Sequence, residues 1–413
     1  MPYELLNGVR ILEVSLLAPD SLGGFLSDLG AEVIKLEEGP RGDYVRELSP
    51  QMNGEFPTSL IHTRWNRGKK SLALSIKTPE GKALFLRLVA ESHVVIEGLR
   101  GGALERMGIT WADLQAANPA IVMCSMSGLG RSGPYRELAT HGLFFDAYAG
   151  LLPPERVEDG TVRIPRSTGA VVGMEVGGLY GALAVLAALH EVARTGKGRI
   201  VEVSEAEVSA HFQFSRIDSA VNAERMVPGT PIQDAVRYQY YETSDDRIVI
   251  FQAMEAKFWE NFCRGTGRLD LLERFPSRGP VDYAGSNAEL RTELQQLFRT
   301  RTQTEWIDLF ISANVAGGPV QTPQDLATDR HFVARDNFYE VDYPGLGKLK
   351  LTGTPIKVEG EAFSTTAAPL VGQDSGEILR SVLGMNVAEI ADLRERRVVN
   401  VPDGIPGRVA QEK

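Results

Sequence analysis

The sequence predicts an α/β fold, a parallel sheet accompanied by a smaller second domain, and three observations carry that expectation. Short apolar runs alternate with helical segments through roughly the first half of the chain, the pattern of βαβ units with parallel strands. From about residue 205 to 335 the chain becomes more aromatic and polar and the alternation fades. With 413 residues it is longer than one hydrophobic core usually serves.

Residues 9–16 read as the first strand, passing into a glycine-containing helix that ends near Leu29-Gly30. Residues 31–36 are the next strand. Thr78-Pro79-Glu80-Gly81 opens an amphipathic helix with Ala83, Leu84, Leu86, Leu88 and Val89 as its core residues. Val94-Val95-Ile96 and residues 120–125 are further strands. Ligands of such sheets bind beyond the carboxyl ends of the strands, so the loops after Leu16, Leu36, Ile96 and Ser125 are where a site is expected. The segment after Gly173 is apolar all round through Leu189 and reads as a buried helix. Gly177, Gly178 and Gly181 cost about 1 kcal/mol each there relative to Ala, which implies a close approach by another backbone or a ligand. Arg194-Thr195-Gly196-Lys197-Gly198 stops this helix before a strand at residues 199–203. The expected organisation is therefore a large domain over 1–204, a small domain over 205–335, and a linker with a return to the large domain over 336–413. Helices fall at 374–383 and 388–397, and the tail from Pro402 reads as loosely ordered.

A formal net charge of −10 argues against nucleic acid or an anionic membrane as a partner. The two cysteines, Cys124 and Cys263, have no CxxC spacing and no neighbouring histidine ligands, so neither a disulfide framework nor a metal site is expected; their number suits a reducing cytoplasm. The N-terminus lacks a signal-peptide pattern, and no stretch reads as the roughly 20 apolar residues of a membrane helix.

Gly128-Leu129-Gly130-Arg131-Ser132-Gly133 satisfies G-x-G-x-x-G after a strand, yet Pro134-Tyr135 follows where a dinucleotide fold needs a helix. A turn beside an active site is the better reading. Asn66-Arg67-Gly68-Lys69-Lys70-Ser71, with Lys77 nearby, is a compact basic loop. Alone it reads as solvated; its functional reading is a site for a diphosphate or 3'-phosphate. His141 precedes an apolar aromatic run and can act as an acid or base only with an orienting partner, which Gly142 does not supply.

In order, these segments resemble one family. Leu6-Asn7-Gly8-Val9-Arg10-Ile11-Leu12-Glu13, residues 29–37, Gly42-Asp43-Tyr44-Val45-Arg46 and the basic loop come first. Gly102-Ala103-Leu104-Glu105-Arg106-Met107-Gly108, residues 127–135 and Thr195-Gly196-Lys197-Gly198 follow, with a fainter match at Gly376-Glu377-Ile378-Leu379. The sequence resembles the family III (CaiB/BaiF) CoA-transferases. The resemblance implies a Rossmann-like sheet in the large domain, a smaller α/β domain, and two chains threaded into an interlocked dimer. It implies coenzyme A and acyl-CoA as substrates, with no tightly bound cofactor. The family's CoA contacts map by position to Leu16, Leu17, Ala18, Leu74, Lys77, Leu99, Arg106 and Met107. Three positions depart from the family pattern. Glu38 stands where an adenine-contacting arginine can occur, and Gly98 and Leu99 replace an asparagine and an aromatic residue.

The family reaction proceeds through an aspartate that attacks the donor thioester, passes through a mixed anhydride and becomes an aspartyl-CoA thioester. Counting back from Gly178-Leu179-Tyr180 without a gap, Met174 occupies that position; a one-residue gap would put Glu175 or Gly173 there. Glu175 lies about 100° further round a helix and carries an extra methylene, so it is a weak surrogate nucleophile. The expected protein is one subunit of a heteromeric CoA-transferase whose homologous partner carries the aspartate. Within the family, the two-subunit benzylsuccinate CoA-transferases, with succinyl-CoA as donor and a role in aromatic degradation, resemble this arrangement. Three alternatives stand beside it: a self-sufficient transferase using Glu175, a 2-methylacyl-CoA racemase using His141, and a non-catalytic CoA-binding scaffold. The racemase would lack carboxylates at Gly142 and Met174.

Overall fold

A computed structural model of the chain describes residues 3–55, 58–165, 171–226 and 232–400; the expected loose tail from Pro402 lies outside the described residues. The chain forms two compact units, Met1–Val221 with Asp336–Lys413, and Asn222–Arg335.

The first unit is built on a seven-stranded sheet. Its strands are β1 (Arg10–Ser15), β2 (Glu32–Glu37), β3 (Lys70–Leu74), β4 (Val94–Gly98), β5 (Val122–Ser127), β6 (Arg199–Ser204) and β7 (Val399–Asn400). The spatial order is β6-β5-β4-β1-β2-β3-β7, parallel throughout except for the edge strand β7. Successive side chains point to opposite faces, and both faces are covered. Leu12, Val14 and Ile34 meet Leu84, Phe85 and Leu88 of α3 (Pro79–Ala90) on one side. Ile11, Val33 and Ile96 meet Leu22 and Leu26 of α1 (Asp20–Asp28) on the other. Thr78 caps α3, accepting from the Gly81 N–H, with Pro79 at the first helical position. Starting from β1 the chain steps outward to β3, then returns to the other side of β1 with β4. The strand order therefore reverses between β1 and β4, and that is where such sheets open a ligand crevice.

Helices α2 (Leu60–Trp65), α4 (Ala103–Arg106), α5 (Trp111–Ala117), α6 (Phe144–Tyr148), α7 (Val172–Thr195) and α8 (Glu205–Phe212) also belong to this unit, as do the C-terminal helices Ser375–Ser381 and Val387–Glu395, which add Ile378, Leu379 and Leu393 to the core. Residues 205–221, assigned to the small domain from sequence, fold with the first unit. The reason is local: α8 begins directly at the end of β6, and Ser204 Oγ caps it by accepting from the Glu207 N–H.

The all-round burial expected for α7 does not hold. A face of small residues (Gly177, Gly178, Gly181, Ala182) is buried, whereas Leu179 and Leu183 are 52% and 62% exposed. Contrary to the expectation that no stretch is apolar enough, α7 could cross a membrane by length and composition alone. Its glycine face is instead packed on α1, where a Cβ at Gly181 would lie 2.3 Å from Leu22 Cδ1.

The second unit has an antiparallel sheet of Gln239–Glu242, Ile248–Phe251 and Gly317–Val320. Helices Ala256–Thr266, Ala288–Phe298 and Gln303–Ala313 supply Trp259, Phe262, Phe298 and Trp306 to its core. These rings account for the aromatic composition of this stretch.

Candidate active site

A cavity of about 460 Å³ opens at the carboxyl ends of β1, β4, β5 and β6. Four strand-end segments build its wall: Leu16 to Pro19 after β1, Gly98 to Gly101 after β4, Ser127 to Leu129 around the end of β5, and Glu205 after β6. Helix α2 adds Ile61 and Trp65, and Met174 comes from the first turn of α7. The glycine motif after β5 thus forms a turn in a cavity wall.

Buried charge shapes the β1–α1 loop. Leu17 adopts a left-handed conformation (φ 63°), rare for a residue with a Cβ, and its N–H donates 3.1 Å to Asp43 Oδ2. Asp43 and Asp20 both pair with the fully buried ammonium of Lys35. Burial alone would raise the Asp20 carboxyl, but Lys35 and Lys69 hold it well below the usual range. Burial and then the Asp20 charge push the Asp43 carboxyl up to about 7. At Gly98 a Cβ would lie 2.4 Å from both Pro19 Cβ and Ser15 Cβ, so the loops after β1 and β4 meet only with glycine there. The family's asparagine has no room at this position.

The N-terminus of α7 is held from outside. Val171, at the cap position, offers no side-chain bond. Asp146 of α6 takes that part, accepting from the N–H groups of Val172 (3.0 Å) and Gly173 (2.9 Å) and from Ser209 Oγ (2.7 Å). A carboxylate there also suits the positive end of the helix dipole. One turn further on, a Cβ at Gly178 would lie 2.0 Å from Ser21 Oγ and 2.9 Å from the Leu22 nitrogen. The close approach expected from the glycines is that of α1 at Gly178 and Gly181, and of Met126 and Glu205 at Gly177.

Met174 faces the cavity, packed beside Ala18 and Trp65. Glu175 is absent from the lining; its Oε1 accepts 2.9 Å from Trp65 Nε1. Leu16, Leu17, Ala18, Leu99 and His141 all line the cavity. The other positions carried over from the family do not. Leu74 is buried in the sheet core, and Met107 packs against the same cluster. Lys77 is ion-paired with Glu38 at 2.8 Å. Arg106 donates back to the carbonyls of Gly101 and Arg100.

Both readings of the basic loop need correction. Its Arg67 and Lys69 charges are neither solvated nor free for a phosphate, because both are paired inside the protein, and the partly exposed Lys70 is ion-paired as well. Arg67 donates to both Asp28 oxygens, Lys69 pairs with Glu13, and Lys70 pairs with Glu32 and Glu377.

Glu205 escaped the sequence reading. It is 3% exposed, lines the cavity, and its Oε1 has no hydrogen-bond partner among the described residues. Burial pushes its carboxyl up to about 8, so at neutral pH it is mostly protonated. The rule that pointed to the ends of the earlier strands would have found it after β6. Among the described residues no cluster of three His, Cys, Asp or Glu is arranged to hold a metal.

Comparisons with known proteins bear on this site. The model of CoA-transferase family III matches residues 6–375. The chain belongs to CoA-transferase family III. Family III enzymes use CoA thioesters as substrates, so the chain is a CoA-transferase by family. It is 29% identical to succinyl-CoA–D-citramalate CoA-transferase of Chloroflexus aurantiacus, over 96% of this chain and 99% of that one. It is 28% identical to formyl-CoA:oxalate CoA-transferase of Rhodopseudomonas palustris (97% and 98%). It is 29% identical to the alpha subunit of succinyl-CoA–L-malate CoA-transferase of Chloroflexus aurantiacus (95% and 92%). Among solved structures, a CaiB/BaiF family protein from Brucella suis superposes with a TM-score of 0.71 at 26% identity, covering 92% of this chain and all of that one.

Proposed function

We propose that this chain is one subunit of a heteromeric CoA-transferase, and that its homologous partner carries the nucleophilic aspartate. The enzyme moves CoA from an acyl-CoA donor such as succinyl-CoA to a carboxylic acid. The observation that carries this reading is the Met174 side chain in the cavity wall. A neutral thioether cannot attack a thioester to give an acyl anhydride. Glu175, the nearest acid in sequence, is bonded to the Trp65 indole instead.

The exposed apolar face of α7, with Leu179 and Leu183, supports a partner subunit in an interlocked dimer. So does the alpha-subunit relative, and two relatives use succinyl-CoA as donor. Leu16, Leu17, Ala18 and Leu99 flank the acyl and pantetheine end, and Trp65 and Phe145 give an aryl acceptor such as benzylsuccinate apolar contact. Lys77 and Arg106, both with exposed side chains, are the cations for the phosphates. The buried free thiols of Cys124 and Cys263 suit a reducing cytoplasm.

The test is the native mass and subunit composition of the protein purified from its source. A second chain of similar size, with an aspartate aligned to Met174, is expected. A homodimer of this chain that transfers CoA would overturn the reading.

A further inference from the structure

Ser127 and Glu205 stand at the ends of two neighbouring strands, at the carboxyl edge of the sheet. Ser127 closes β5, its register partner Ser204 closes β6, and Glu205 follows. Both side chains are at least nine-tenths buried and both residues line the cavity. Ser127 Oγ and Glu205 Oε1 are two buried polar atoms with no hydrogen-bond partner among the described residues. Leaving a buried polar atom unpaired is costly, and here two such atoms share one cavity wall. A ligand that enters the cavity can satisfy both.

We propose that Ser127 and Glu205 form a polar subsite that binds a hydroxyl or carbonyl oxygen on the acyl chain of the bound CoA thioester. This rests on reading the cavity as the acyl-CoA pocket. The chemistry of the pair sets the ligand class. A protonated carboxyl donates one hydrogen bond and the serine hydroxyl can donate or accept, so a ligand hydroxyl can accept from Glu205 while donating to Ser127. A keto oxygen accepts from both. Burial favours the protonated form of Glu205, which makes it a donor at neutral pH. The other titratable or charged side chains in the cavity wall are Tyr44, Arg100, Arg136 and His141. On the packed elements, Asp146 of α6 is held by α7 amides and Ser209, and Glu175 of α7 by Trp65. The rest of the wall is mainly apolar (Leu16, Leu17, Phe145, Met174), so a purely aliphatic acyl chain fits but strands both polar atoms.

The test is calorimetric titration of the intact protein, with its partner subunit where one co-purifies, using free CoA, butyryl-CoA and 3-hydroxybutyryl-CoA at pH 7. The hydroxylated ligand is expected to bind at least tenfold more tightly than butyryl-CoA. Glu205→Leu removes that preference while free CoA binds as before. Glu205→Gln, which keeps a neutral donor, restores most of it. Equal affinity for the two thioesters, or a preference untouched in Glu205→Leu, overturns the subsite and leaves the pocket reading standing. Failure of free CoA to bind overturns both.

Discussion

The Trp65 indole N–H donates 2.9 Å to Glu175 Oε1, and of this pair only Trp65 lines the cavity. The acid beside the expected nucleophile position is thus engaged by a hydrogen bond, while Met174 faces the cavity. A charge-accepting bond of this kind contributes on the order of 1.5–3 kcal/mol. Glu175→Gln should therefore lower stability by about 1–2 kcal/mol and leave transfer by the native assembly within about threefold of wild type. Steady-state rates and thermal melts of the same preparation check this. Loss of turnover, together with a hydroxylamine-sensitive adduct on residue 175, would make Glu175 the nucleophile.

Met174→Asp should give this chain a carboxylate in its cavity wall. Incubation with succinyl-CoA is then expected to produce a hydroxylamine-sensitive adduct at position 174, read by peptide mass, and none in the wild-type chain. An inert variant that still binds CoA would mean the cavity does not place the thioester against this helix turn.

Asp146 supplies two backbone bonds to the start of α7 and one to Ser209. Asp146→Ala should cost about 2 kcal/mol or more, since cap, dipole and buried hydroxyl all lose a partner. Denaturant unfolding measures it, with Glu191→Ala near the far end of the same helix as a comparison expected to cost much less.

Glu205 titrates near 4.5 in an open chain and about 8 when folded, so the folded state holds a proton that the unfolded state releases in that window. Its contribution is fully present below about pH 4.5 and is lost as pH rises through about 8. The largest slope is about 1.4 kcal/mol per pH unit. Glu205→Gln should be more stable than wild type at pH 9 and show a smaller advantage at pH 5. An advantage independent of pH would contradict the buried, proton-holding carboxyl.

The fold was legible because hydrophobic periodicity is a local property: the runs at residues 9–16, 31–36, 94–96, 120–125 and 199–203 became β1, β2, β4, β5 and β6. Gly177, Gly178 and Gly181 likewise signalled close packing, now against Met126, Ser21 and Leu22. What remained hidden depended on pairing across distant segments. The partners of Arg67 and Lys69 lie at Asp28 and Glu13, tens of residues away in sequence. Nor does an apolar helix state which face is outward, so Leu179 and Leu183 could not be told from core. Glu205 carried no motif; only its place at the end of β6 gives it a role.

The most direct measurement is the intact mass of every chain in the native enzyme after incubation with succinyl-CoA and rapid quenching. A covalent CoA or acyl adduct confined to a second, aspartate-bearing chain, with this chain unmodified, is the predicted result. An adduct on this chain during turnover would contradict its role as the supporting subunit.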